Sequence, residues 1–151
     1  MSCKSLFLSL LMFGQNTCCI PKQYMDKKIL ITDDEPHIRA LLEQTLEDFE
    51  DEGVEILTAK DGEEALEVVE EEHPDLMFLD VMMPKKNGFD VCQTVKKEWR
   101  FDDVYIIMLT AKGQEFDKKK GLEVGADTYM TKPFDPDEII EKASEVLDIE
   151  V

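Results

Sequence analysis

The sequence predicts an α/β protein: a doubly wound, five-stranded parallel sheet in the order 2-1-3-4-5, with helices on both faces. Three observations predict it. From Lys27 onward, apolar runs alternate with amphipathic stretches across short connections, as strand–helix units with right-handed crossovers do. Two runs, 76–79 and 104–109, are apolar without alternation, which is how strands buried on both faces read. The chain has 151 residues and shows no internal repeat or linker after residue 25, which suits one domain of the size at which this strand order is common.

The elements follow in order. Residues 29–32 make the first strand. Ile38, Leu41, Leu42, Thr45, Leu46 and Phe49 then recur at the helical period with acids opposite, so a helix buries that stripe until the charged break at 48–53. Residues 54–58 form the second strand. Asp61 is placed to cap a second helix, with Glu64 as its capping-box partner and Ala65, Leu66, Val68 and Val69 facing inward. His73-Pro74-Asp75 turns the chain into the third strand, 76–80. Pro84 has no N–H to offer a ladder, so this strand stops near Asp80. Asn87-Gly88 reads as a turn before a third helix marked by Phe89, Cys92, Val95 and Trp99. After the fourth strand, 104–109, a short polar helix spans about 115–123, interrupted by Gly121 and closed by Gly125. Residues 127–131 form the last strand and 137–147 the last helix, with Ile139, Ile140, Ala143, Val146 and Leu147 inward.

The formal net charge is −18, and residues 1–25 contribute only Lys4 and Lys22 to it, leaving 15 basic against 35 acidic residues in the rest. Such a surface repels nucleic acid and anionic lipid and favours basic or metal-bearing partners; it also simply keeps a protein dissolved. Residues 1–25 are expected to be an unstructured leader or an upstream mis-start, with 26–151 as the body. Lys4 and the apolar run 6–13 have the outline of a secretory signal, but no small-x-small cleavage site follows. A run of eight residues, seven of them apolar, falls well short of the roughly 20 a bilayer requires. Cys3, Cys18 and Cys19 lie in this leader and Cys92 alone in the body, with no metal or disulfide spacing, so a reducing, cytoplasmic setting is expected. Cys92 reads as a small buried side chain.

Four strand ends then read together. The first strand ends at Asp33-Asp34, the third at Asp80, the fourth at Thr110 and the fifth at Lys132. Ligands of open parallel sheets collect beyond the carboxyl ends of the strands. Strands one and three are neighbours in the predicted order, so three carboxylates meet and would repel unless one held its proton or a cation joined them. An all-oxygen site of this kind suits Mg²⁺. With an ammonium from Lys132 and a hydroxyl from Thr110, the set makes a receptacle for a transferring phosphoryl group, Asp80 serving as nucleophile. Taken singly, each residue also fits a solvated loop, a helix cap or a surface lysine.

Ile31-Thr32-Asp33-Asp34-Glu35-Pro36, Leu79-Asp80-Val81-Met82-Met83-Pro84-Lys85-Lys86-Asn87-Gly88, Leu109-Thr110-Ala111-Lys112 and Gly125-Ala126-Asp127-Thr128-Tyr129-Met130-Thr131-Lys132-Pro133-Phe134 together resemble the receiver domain of bacterial two-component response regulators, over about residues 27–148. The resemblance implies the CheY-like, flavodoxin-like fold, Asp80 as phosphoacceptor, and Asp34 and Asp80 as direct Mg²⁺ ligands. It makes the Met82 main-chain carbonyl a third ligand, with Asp33 acting through a coordinated water. Lys132 would pair with the acceptor and then the phosphoryl group. Thr110 would move to bond a phosphoryl oxygen, and Tyr129 would rotate inward behind it. Lys132-Pro133 is expected to be cis.

The donor implied is a phosphohistidine on a histidine kinase or phosphotransfer protein, not His37 or His73, which read as solvated. Phosphorylation would add ~1.5–2 negative charges, relayed to the face of helix four, strand five and helix five, where a downstream protein would bind. Lys118-Lys119-Lys120 on helix four is either a solvated face or part of that contact. Met82 and Lys112, in the positions that flank the phosphoryl group, would shield it from water and lengthen its lifetime. The chain would catalyse only its own phosphorylation and dephosphorylation. A stand-alone receiver, ending at Val151, would act as a chemotaxis-type switch or a phosphorelay intermediate, with no membrane and no direct nucleic-acid contact. It would be a monomer or a phosphorylation-dependent dimer, although Thr128 replaces an acid that dimerising receivers often carry. The alternatives are a degenerate receiver binding partners without phosphorylation, a haloacid-dehalogenase-type phosphatase and a flavodoxin. The phosphatase lacks its second acid, because Met82 stands there; a flavodoxin's phosphate loop would be repelled by Asp33-Asp34-Glu35.

Overall fold

The computed structural model describes residues 27–111 and 115–151. The expected leader, 1–25, and Lys112 lie outside them. Five strands, β1 (Lys28–Thr32), β2 (Glu55–Ala59), β3 (Leu76–Asp80), β4 (Tyr105–Ala111) and β5 (Thr128–Lys132), form one parallel sheet in the order β2-β1-β3-β4-β5. The helices are α1 (Pro36–Thr45), α2 (Gly62–Glu72), α3 (Gly88–Gln93), α4 (Glu115–Val124) and α5 (Pro136–Leu147). The fold is the flavodoxin-like one that the residue pattern predicts.

Successive strand side chains point to opposite faces, and on the central strands both faces are covered. Leu30, Met77, Leu79, Ile106 and Met108 pack under α2, α3 and α4 with Ala65, Val69, Cys92 and Val124. Ile29, Ile31, Phe78, Ile107 and Leu109 pack on the other side with Leu42 of α1 and Ile139, Ala143 and Leu147 of α5. All five residues of β3 are buried, so the strand ending on Asp80 is the most fully enclosed. Burial of the Cys92 thiol pushes its pKa up to about 12, which leaves it an inert core group.

Several local features depart from the residue pattern. The α1 stripe breaks at Leu46 and resumes as a short helical turn, Glu47–Asp51; Leu46 and Phe49 are buried, but Leu41 lies at the stripe's edge and is 41% exposed. Asn87 is the N-cap of α3, its side chain accepting from the Asp90 N–H at 3.0 Å, because asparagine satisfies an orphan donor as readily as it makes a turn. Beyond Gln93 this helix continues as a π-helical turn, Thr94–Glu98. α4 runs through Gly121 without interruption and is closed by Gly125 at φ +99°. Asp61 caps α2 as expected, accepting from the Glu64 N–H at 2.9 Å.

Candidate phosphoryl and metal site

Strand register assembles the site. Thr32 of β1 pairs with Leu79 of β3, so the next residues along each strand are Asp33 and Asp80. Asp80 pairs with Leu109, which puts Thr110 one residue further on; Ala111 in turn pairs with Lys132 at the end of β5. Four strand ends separated by up to about a hundred residues of chain thus share one sheet edge. One oxygen from each of Asp33, Asp34 and Asp80 falls within 4.8 Å of the others. Asp34, Asp80, Met82, Ala111 and Lys132 line a single open cleft of about 230 Å³.

Each carboxylate is held differently. Asp33 is fully buried; its Oδ1 accepts the Glu35 N–H at 2.9 Å and its Oδ2 accepts from Lys132 Nζ at 2.6 Å. Asp34 is exposed at the mouth. Asp80 is 6% exposed, with Oδ1 3.2 Å from Lys132 Nζ. Burial first, and then the charge of Asp33, push the Asp80 carboxyl up to about 7; the Lys132 ammonium pulls the other way. For Lys132, burial disfavours the ammonium, but its hydrogen bond to Asp33 and the charges of Asp80 and Asp33 outweigh that and hold its pKa above the ordinary value. One ammonium therefore does not neutralise the cluster. The all-oxygen donor set and its uncompensated negative charge fit a hard divalent cation, with Asp33, Asp34 and Asp80 as the side chains that would hold it.

Thr110 is 1% exposed, and its Oγ1 has no hydrogen-bond partner among the described residues; a buried hydroxyl at the site edge is thus available to an incoming oxygen. Met82 borders the cleft and is 70% exposed. Tyr129 stands apart from the cleft. It pairs with Met108 and packs, half-buried, against the core under α4. Lys132-Pro133 is cis. Lys119 and Lys120 of the basic run are exposed, and the Lys120 ammonium sits 4.7 Å from the centre of the Phe89 ring, which turns it toward α3.

The loop after β3 is fixed from two sides. A Cβ at residue 88 would collide with the Asp80 carbonyl oxygen and approach Val81 Cα to 2.9 Å, so the chain can return against the end of β3 only with glycine there. Lys85, at φ +65°, pairs with Asp61 and Glu63 of α2, each at 3.4 Å. The residue pattern did not reveal a role for Arg39, whose guanidinium donates to the Asp33 carbonyl at 2.6 Å and ties α1 to the acidic loop. Its only sequence signal is a cation near the start of α1, six residues beyond Asp33.

The response regulator receiver domain model matches residues 29–144. The chain belongs to the response regulator receiver domain family. It is 50% identical over 123 residues to the alkaline phosphatase synthesis transcriptional regulatory protein PhoP of Bacillus subtilis, covering 82% of this chain and 49% of that protein. Against the probable transcriptional regulator ycf27 of Cyanophora paradoxa it is 53% identical over 113 residues, covering 75% and 45%. The chain thus spans about half the length of these relatives. The solved chemotaxis protein CheY4 of Vibrio cholerae superposes with a TM-score of 0.70 at 33% identity, covering 80% of this receiver and 98% of that chain. Among the described residues, no helix is long and apolar enough to cross a membrane.

Proposed function

We propose that this receiver takes a phosphoryl group from a phosphohistidine, on a histidine kinase or a histidine phosphotransfer protein, onto Asp80. The observation that carries the reading is the meeting of Asp33, Asp34 and Asp80 within 4.8 Å beside the Lys132 ammonium. An Asp80 carboxylate oxygen attacks phosphorus as the histidine P–N bond breaks; an acyl phosphate forms, and the imidazole leaves with the bond's electron pair and takes up a proton. Lys132 holds the acceptor carboxylate and then pairs with a phosphoryl oxygen. Thr110 offers its unpartnered hydroxyl to another. Asp34, Asp80 and the Met82 carbonyl, with Asp33 beside them, would hold Mg²⁺, which would supply the charge neutralisation that two anions need to meet. The chain's own catalysis extends to gaining and losing this group.

Phosphorylation adds ~1.5–2 negative charges at the strand ends, and the response passes through Thr110 and Tyr129 to the face of α4, β5 and α5, which a downstream protein reads. The identity to proteins named as transcriptional regulators favours a transcriptional output over a chemotaxis-type one, with any DNA contact made by a different domain from this acidic one. Incubation with acetyl phosphate and Mg²⁺ followed by intact mass is expected to show one hydroxylamine-labile phosphoryl group, absent from Asp80→Asn. An unmodified wild-type protein would point instead to a receiver that binds partners without phosphorylation.

A further inference from the structure

We propose that Gly121 is the seat that lets the Tyr129 ring lie beneath α4, and that its missing side chain is what keeps this position of the ring open. A Cβ built at residue 121 would overlap the Tyr129 hydroxyl, with Cζ 2.5 Å away and Met108 Sδ at 2.9 Å. The ring therefore occupies the space that any other residue would fill. The end of α4 is held to the sheet: Val124 is buried with Cys92 in the core, and the Asp127 N–H just beyond the helix donates to the Ile106 carbonyl of β4 at 3.0 Å. The Gly121 carbonyl accepts from the Gly125 N–H at 3.0 Å and from the Ala126 N–H at 2.9 Å, so the closing turn of α4 is anchored at this residue. The sheet cannot retreat, since Met108 and Tyr129 are paired across β4 and β5 and Met108 is fully buried. What can move is the tyrosine side chain, by rotation about its Cα–Cβ bond. A methyl group at residue 121 would send the ring outward.

Glycine in a helix interior carries a cost in stability relative to alanine, and the polar, lysine-rich α4 has little other use for it. The glycine is explained by the ring it admits. That this seat serves switching rests on the receiver reading above; that it holds the ring does not.

The test is Gly121→Ala in the full chain, with fluorotyrosine at Tyr24, Tyr105 and Tyr129 and the Tyr129 fluorine resonance assigned by its loss in Tyr129→Phe. The expected result is a move of the Tyr129 resonance to the position and solvent isotope shift of free fluorotyrosine, while the Tyr105 resonance keeps its place. An unmoved Tyr129 resonance would overturn the proposal. If Gly121→Ala does not fold, Gly121→Ala with Tyr129→Ala is expected to fold, because the methyl enters the space the ring leaves; an unfolded double variant would also overturn it. Intact mass after acetyl phosphate, run on the wild-type sample, reads the receiver reading separately. No phosphoryl uptake there would remove the switching role and leave the seat standing on the fluorine shift alone.

Discussion

At Asp80 burial and the neighbouring Asp33 charge both favour the protonated acid, and Lys132 opposes them without prevailing. A carboxyl whose folded pKa lies above its unfolded value stabilises the native state while protonated. That contribution is complete below the unfolded value and is lost as pH rises from about 4 through about 7. A divalent cation binds the ionised cluster and should reverse the loss. Thermal melts are therefore expected to show a Mg²⁺-dependent rise in Tm that is larger at about pH 8 than at about pH 5, with the difference much reduced in Asp80→Asn. An equal rise at both values would contradict this. Met82, exposed beside the cleft, and Lys112 are expected to slow water's approach to the acyl phosphate. Met82→Asn together with Lys112→Glu should speed dephosphorylation severalfold in a chase after donor removal; an unchanged rate would contradict the shielding. The strand-end residues were legible because each stands at or one residue past the end of a strand-forming run, two of them, Asp80 and Thr110, directly after apolar residues. Arg39 and Gly121 were not, since their roles depend on a carbonyl and a ring brought to them from elsewhere in the fold.

Among the elements, α3 shows where periodicity alone fails. Lys96 lies four residues beyond Cys92, on the inward stripe, yet is only 7% exposed. The π-helical turn Thr94–Glu98 places its ammonium 2.9 Å from Asp127 Oδ2, an oxygen that also accepts the Ile106 N–H at 2.9 Å. The pair joins α3 to the starts of β4 and β5. Lys96→Met is expected to cost up to about 1 kcal/mol in urea unfolding, because the partly exposed Asp127 keeps its backbone bond but loses its counter-charge. Adding Asp127→Asn should recover part of that. A neutral Lys96→Met would show the pair to be ornamental. The pattern of apolar residues marks which face of this helix is buried; it does not reveal that a lysine on that face has a partner thirty-odd residues away. The breaks at Leu46 and the exposure of Leu41 escaped for a similar reason, since the stripe's edge is decided by how α1 seats on the sheet.

For the whole molecule, the parallel order and the strand register do most of the functional work. Once Thr32 stands beside Leu79 and Thr110 beside Thr131, Asp33, Asp80, Thr110 and Lys132 come to one edge without further instruction. Both faces of the sheet are sealed by helices, so the carboxyl edge is where polar chemistry is exposed. The acidic surface adds a long-range field that favours cations at this edge and basic surfaces on a partner. The most direct measurement is peptide mapping after incubation with acetyl phosphate, with Mg²⁺ in one arm and EDTA in the other. The prediction is a single modified peptide containing Asp80, found with Mg²⁺ and lost with EDTA. Modification at another residue, or at Asp80 to the same extent in both arms, would contradict it.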